Sequence, residues 1–338
     1  MAHPIGRRST LALAGASLLA HPALAQGRTK VRITQPSDSL SYMAIYAARA
    51  NGTFAAEGLD VEVIITRGDG PDVQALMASE VEFVATPPHH LYTLYLQNRR
   101  LQGVCGLLGR CGINIVLHKD VAAEKGVTEA SPIAEKLAAL RGVTIGTSAP
   151  GSLTYNLAQW YIQRGGMTPQ REAKVVATGT GPAAIAAMQN KIATAYSFSS
   201  PLTDELVRRN LAVWLVNNTR GQDPELAEFL HAVIYVRPDW AAANADLTRR
   251  MVRALVTASA WIRATPPAEI GRVLRPSFAS LDEGVFMSAL ENVREAVTPA
   301  GRMAKAGSDN YQKVLLQTGG LRSPVPYEAV FTDAYLPA

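Results

Sequence analysis

The sequence predicts an α/β chain of two similar lobes, each a mixed, mostly parallel sheet flanked by helices, with a two-strand hinge between them. Three observations predict it. Two segments, beginning "VRITQPSDSL" at Val31 and "VTIGTSAPGS" at Val143, run through the same order of events over about 58 residues. Within each, short apolar or β-branched runs alternate with helix-spaced runs that end in Gly, the signature of βαβ units. After each unit, strand-like stretches carry the chain away and later bring it back.

Taken in order, the chain opens with Arg7-Arg8, a ten-residue apolar run from Leu11 to Ala20, and the small-residue triplet Ala23-Leu24-Ala25. This is the pattern of a cleavable export signal over residues 1–25, and ten residues are too few to span a bilayer as a helix. Cleavage would leave Gln26 first. The paired arginines fit either a general or a twin-arginine export route. Without them the formal charge falls from +5 to +3, and the remaining Lys and Arg form no stripe that would follow a phosphate backbone, so nucleic acid is not an expected partner.

In the first repeat the strands are placed at Val31 to Ile33, Val61 to Thr66 and Phe83 to Ala85; in the second at Val143 to Ile145, Lys174 to Ala177 and Ala193 to Tyr196. All are short and largely apolar, as buried parallel strands are. The separations of matching residues hardly drift: Ile33 to Ile145 is 112, Gly68 to Gly179 is 111, Pro71 to Pro182 is 111, and Pro88 to Pro201 is 113. A duplicated supersecondary unit explains that regularity.

Further strands are expected at Leu101 to Leu108 and Ile113 to His118, then at "AVWLVNN" and "FLHAVIYV". A chain leaving near His118 and returning near Val233 gives residues 26–118 plus 233–338 as lobe one and 119–232 as lobe two. From Ala241 the pattern is helical. "LTRRMVRALVTASAWIRA" is amphipathic, and the tail is expected to pack on lobe one.

Four strand-to-helix turns are built alike: "TQPSDSLS", "ATPPHHL", "TSAPGSLT" and "ATGTGPAA". In open parallel sheets, ligands bind beyond the C-terminal ends of the strands, where helices begin. These turns offer hydroxyls (Ser152, Thr154, Thr180), glycines that admit a ligand close to the backbone (Gly151, Gly181), and helix N-termini that suit an anionic or strongly accepting group. Each turn taken singly also reads as ordinary N-capping, because Ser, Thr and Asp are favoured there.

Cys105 and Cys111 lie in "VCGLLGRCG". An extended spacer would hold them beyond disulfide reach unless the strand ends between them, so paired and free forms both stay open. No H-E-x-x-H, H-x-x-E-H or G-x-S-x-G motif occurs, and adjacent His89 and His90 do not readily chelate one metal. No cofactor and no catalytic residue is expected.

"YAARANGTFAAEGLDVEV", "ALMASEVEFV", "LRGVTIGTSAPGSLTYNLAQWYIQRGGM", "VVATGTGPAAIAAMQNKIATAYSFSSP" and "VRPDW" with "RALVTASAWI" resemble the periplasmic solute-binding proteins of ABC importers, in the sulfonate, nitrate, taurine and thiamine-precursor (hydroxymethylpyrimidine) group. The likeness covers nearly all of residues 30 to 275. It implies a type II periplasmic-binding-protein fold that closes on a small organic or anionic ligand, a monomer in the periplasm, and an ABC permease with its ATPase as partners. Family binding residues come from the turns that here hold Ser37, Asp38, Ser39, Thr86 to His89, Ser148 to Thr154, Gly179 to Pro182 and Phe198 to Ser200.

The expected ligand set is therefore Ser37, Asp38, Ser39, Tyr42, Thr86, His89, Arg110, Ser148, Gly151, Ser152, Thr154, Tyr155, Gly179, Thr180, Phe198 and Ser199. Tyr42, Tyr155 and Phe198 enter it as faces for a ring, and Arg110 as a counter-charge. Asp38, facing the cleft, would repel an anion and favour N–H or O–H donors. Relatives of this fold include pyrimidine-precursor synthases with a cysteine-rich cluster, which this chain lacks. A ligand-sensing partner of a membrane receptor would use the same fold and stands as the alternative to transport.

Overall fold

The structure, a computed structural model, describes residues 27–66 and 68–337; the expected export signal lies outside the described residues. The first repeat forms β1 (Thr29–Gln35), α1 (Met43–Ala50), α2 (Thr53–Ala56), β2 (Leu59–Ile65), α3 (Asp69–Met77), β3 (Phe83–Thr86) and α4 (His89–Tyr95), and is followed by β4 (Gln102–Leu108). Then come β5 (Ile113–His118), α5 (Lys119–Lys125) and α6 (Ile133–Ala138). The second repeat forms β6 (Thr144–Thr147), α7 (Leu153–Arg164), β7 (Lys174–Ala177), α8 (Pro182–Gln189), β8 (Ala195–Ser199), α9 (Leu202–Arg208) and β9 (Ala212–Val216). Finally β10 (Ala232–Val236) leads to α10 (Pro238–Ala243), α11 (Ala245–Ala264), α12 (Pro267–Leu274), α13 (Glu283–Arg294) and α14 (Lys305–Thr318).

Two five-stranded sheets result, ordered β2-β1-β3-β10-β4 and β7-β6-β8-β5-β9. In each, the three strands of a repeat run parallel, which their helical crossovers require. One antiparallel strand then joins each sheet: β10 between β3 and β4, and β5 between β8 and β9. Both strands are wholly buried; β10 is apolar throughout, and β5 is apolar except for Asn114, whose Oδ1 accepts from Thr219 N–H at 3.1 Å, and His118 at its end. Each inserted strand comes from the far side of a chain crossing. The crossings are Gly109 to Gly112 and Asn217 to His231.

The exchange corrects one expectation. The strand Ile113–His118, assigned from sequence to the first lobe, pairs with β8 and β9 and stands in the second sheet. Periodicity identifies a strand but not its partners, and the glycines at 109 and 112 mark where the chain has already crossed.

The helical tail is also shared. Helix α11 buries Met251, Val252, Leu255, Ala258 and Ile262 at helical spacing against α1 and the first sheet. Helix α14 instead lies against α7, where Trp160 Nε1 donates to Gln317 Oε1 at 2.6 Å. Its Tyr311 packs 4.7 Å from Phe229 and 6.0 Å from Tyr92, ring centre to ring centre. The tail therefore packs on helices of both lobes, not on the first alone, because α14 lies along α7 while its Tyr311 reaches Tyr92 of α4. Past α13, the chain also covers the edge strand β4: Gly106 N–H donates to Gly301 O at 2.7 Å and Gly103 N–H to Val330 O at 2.8 Å. This removes an open edge.

Candidate ligand-binding cleft

The turns that follow β1, β2, β3 and β6, and the end of β8, face one another across the gap between the sheets. A pocket of about 140 Å³ lies there. The first sheet contributes Pro36, Ser37, Ser39, Ser41, Tyr42, Asp69 and Pro87 to it, and the second Ser148, Ser152, Leu153, Thr154, Phe198 and Ser199. Ile113 and His231, at the ends of the two crossings, complete it. A larger groove of about 670 Å³ runs along α14 and the segment from Pro324 to Glu328. It belongs to the outer face of the tail, far in the chain from the strand ends, so the smaller pocket is the candidate site.

The hydroxyl turn after β6 explains its own composition. Ser152 caps α7, its Oγ accepting from Tyr155 N–H at 3.3 Å. Ser148, Ser152 and Thr154 stand in a triangle with oxygen separations of 3.0, 2.9 and 2.8 Å. Ser152 Oγ also donates to Ala149 O at 2.7 Å, which ties that corner to the backbone, while the Ser148 and Thr154 hydroxyl hydrogens can rotate to serve a ligand. In the opposite turn, Ser39 Oγ accepts from Ser41 N–H at 3.2 Å and reaches across the gap to Ser200 O at 3.4 Å. That bond spans the cleft.

Of the residues expected from sequence, Ser37, Ser39, Tyr42, Ser148, Ser152, Thr154, Phe198 and Ser199 meet at this pocket. The others do not line it. Asp38 is exposed, and its carboxylate accepts from Tyr46 Oη at 2.7 Å, which turns it onto its own lobe. Thr86 is fully buried beneath the turn. His89 lies against His90, rings 3.8 Å apart. Arg110 is beside Gly221. Gly151 has φ +78, so its place in the turn requires a glycine for conformation. Tyr155 accepts from Gln170 Nε2 at 3.4 Å on the outer side of α7. Gly179 O accepts from the Tyr196 hydroxyl, and Thr180 is exposed.

Two functional-looking residues escaped the sequence reading. Asp69 opens α3 in the turn "GDGP", which the repeat register pairs with Gly179 to Pro182. That register was the available signal for it. His231 precedes β10 and is 4% exposed; nothing local in "FLHAVIYV" marks it, since its place depends on the second crossing.

Burial sets the charge states here. It raises the Asp69 carboxyl, against the opposing influence of His90 and the Thr86 hydroxyl. Asp72, whose Oδ1 accepts from Thr66 Oγ1 at 2.6 Å, is pushed up to about 7, mainly by burial. Burial also lowers His89 to about 4, His231 to about 4, and His90, which has the His89 ring beside it as well, to about 3. Near neutral pH all three imidazoles are uncharged. Cys105 and Cys111 are free and buried, both thiols raised to about 12 by burial. Among the described residues, no three His, Cys, Asp or Glu side chains are grouped to hold a metal ion, and no helix is long and apolar enough to cross a membrane.

Comparison with known proteins places this geometry. A search of curated proteins finds no match. Among solved structures, a protein from Bordetella bronchiseptica RB50 is 20% identical, with 90% of this chain and 95% of that one covered at a TM-score of 0.72. The periplasmic aliphatic sulphonate binding protein of Escherichia coli is 15% identical over 90% of this chain and 98% of its own, TM-score 0.68. A desulfurization enzyme is 18% identical over 89% and 95%, TM-score 0.61. These likenesses show the fold, that of periplasmic binding proteins. The family described as NMT1-like matches residues 38–273, well over half of the chain. By that match, with the paired sheets and the cleft between them, the chain belongs to the NMT1-like family.

Proposed function

We propose that this chain is the extracytoplasmic solute-binding component of an ABC-type importer, which captures a small ligand between its two sheets and delivers it to a membrane permease. The observation that carries the reading is the pocket itself. It draws its walls from the strand-end turns of both sheets and from both crossings, so a ligand there touches every part that a hinge motion would move. Support also comes from the sulphonate-binding relative with the same fold. Export through the signal at residues 1–25 puts the mature chain in the periplasm, beginning at Gln26.

Because a desulfurization enzyme shares the fold, catalysis is the competing reading. Against it, both cysteines are buried away from the pocket, with thiols that stay protonated at neutral pH. The test is a thermal-shift screen of the chain from Gln26 against small acids, amines and ring compounds, followed by recovery of each hit. A ligand that stabilises the fold and is recovered unchanged supports capture. One that is recovered altered supports the enzyme, and cellular uptake that persists after deletion of the gene sinks transport.

A further inference from the structure

Resting on the capture reading only for a cleft that opens and closes, we infer that α13 is a latch, carried by the core of the first sheet and gripping α9 of the second through a buried polar seam that must part for the cleft to widen. The helix has two unlike sides. Phe286, Ala289, Leu290 and Val293 lie in the same apolar core as Val31 and Ile33 of β1, so α13 moves with the first sheet. On the other side Gly284, Ser288 and Asn292 stand at i, i+4 and i+8, which lines them up along one face of a helix, and they meet α9. Ser288 Oγ donates to Asp204 Oδ1 at 3.0 Å, and the Asn292 amide donates to the same oxygen. Gly284 lies so near Arg208 that a methyl group there would overlap the guanidinium. No side chain of this stripe is apolar.

Such a seam can part. Apolar faces resist separation in proportion to their area, whereas polar groups exchange one another for water at little net cost. Asp204 is fully buried, yet its Oδ2 has no hydrogen-bond partner among the described residues, the neighbouring Ser200 hydroxyl included. Thr203 Oγ1, on the same turn of α9 and equally buried, has none either. Groups left unpaired while the seam is shut meet water when it opens, so the shut state holds by a margin that a ligand can shift. The seam is also joined to the moving parts. Asn292 Oδ1 accepts from Asn217 Nδ2 at 3.3 Å, Asn217 Oδ1 from Thr219 Oγ1 at 2.7 Å, and Asn114 Oδ1 from Thr219 N–H at 3.1 Å, which ties α13 to the second crossing and to the start of β5. Toward the cleft, Ser200 O accepts from the pocket residue Ser39.

The experiment reads the separation of the sheets without any ligand, so its failure leaves the capture reading to the thermal-shift screen. In the chain from Gln26, the exposed residues Gln74 on α3 and Ala186 on α8 are replaced by Cys and given nitroxide labels, while the buried Cys105 and Cys111 stay in place. Pulsed electron spin resonance then gives the distance between labels in this parent, in Asn292→Leu, in Ser288→Ala, and in Val252→Ala, a control that loosens the first core away from the seam. Leu keeps the size of Asn292 but leaves Asp204 and Asn217 short of partners until water enters. The inference expects a longer separation about tenfold or more populated in N292L than in the parent, a smaller rise in S288A, and no change in V252A. A parent-like distribution in N292L overturns the latch. Should that variant not fold, a parent-like distribution in S288A, whose side chain is only half-buried, overturns it as well. An equal rise in V252A also overturns it, because the motion would then follow from lost stability and not from the seam.

Discussion

Gly112 and His231 meet where the two crossings pass: a methyl group placed on Gly112 would lie 2.5 Å from His231 Cδ2 and 2.6 Å from its Nε2. The first crossing ends at Gly112 and the second at His231. Their contact couples an imidazole in the pocket wall to the segment that would have to flex.

Gly112→Ala should therefore destabilise the fold by about 1–3 kcal/mol, the usual cost of overpacking, because the buried imidazole has little room to retreat. It should also shift ligand affinity. Urea denaturation of the variant checks the first point, and a change below about 0.5 kcal/mol would mean that the histidine moves freely.

Ser148 and Ser152 should separate binding from stability. Ser152 caps α7 and Ser148 does not. Replacing Ser152 by Ala should cost about 1 kcal/mol of stability, whereas Ser148→Ala should leave the melting temperature within a degree or two while weakening the ligand. The same loss of stability in both would show that the hydroxyl triangle, and not the cap, holds the turn.

Acid should weaken the fold through its histidines. His89, His90 and His231 each titrate lower in the folded chain than the ordinary 6.5. The unfolded chain thus binds more protons below that pH, and stability present above pH 6.5 is lost on the way down to about pH 4. Asp72, raised to about 7, acts in the opposite sense: its contribution is present at acid pH and is lost as pH rises through 7. His231→Gln should therefore flatten the acid-side fall, by up to about 3 kcal/mol at pH 4. Stability curves for the two proteins that stay parallel from pH 6.5 to 4 would show that His231 titrates normally.

Asn292 should anchor the tail to the second sheet. Its amide donates to Asp204 Oδ1, which Ser288 Oγ also reaches at 3.0 Å, and its own Oδ1 accepts from Asn217 Nδ2 at 3.3 Å. Asp204 is fully buried, so Asn292→Ala removes a donor from a carboxylate that has no water to turn to. A loss of about 2–3 kcal/mol is expected in urea denaturation. A smaller effect would mean that Ser288 alone satisfies the acid.

Both thiols should be silent in the native chain. Cys105 and Cys111 are buried and unpaired, with their thiols raised to about 12. An aromatic disulfide reagent at pH 8 should find no thiol before unfolding and two after it, matching the two cysteines of the chain. Reducing agent should leave the melting temperature unchanged.

Strand identity was legible in the sequence because burial imposes apolar runs of the right length. Lys174–Ala177 and Ile113–His118 coincide with β7 and β5 residue for residue. The duplicated order of strands, turns and helices carried over directly into two sheets with the same parallel core. Eight expected pocket residues, from Ser37 to Ser199, were reachable for the same reason: they follow strands, and strand ends gather on one side of a parallel sheet.

Tertiary structure decided what the repeat could not. Asp38 and Asp69 are both acids in strand-end turns, yet Tyr46 draws one away while the other lines the pocket. His231 reaches the site only because β10 returns into the first sheet, and α14 bridges the sheets only because its Tyr311 finds Phe229 and Tyr92 from distant parts of the chain. The sequence by itself determined which segments are strands and helices, their duplication, and the turns that border a cleft, since these follow from local periodicity and backbone chemistry. Which sheet β5 and β10 join, and so which turns and crossings meet at the pocket, depends on pairings between residues roughly 80 to 150 positions apart, and local pattern holds no record of them.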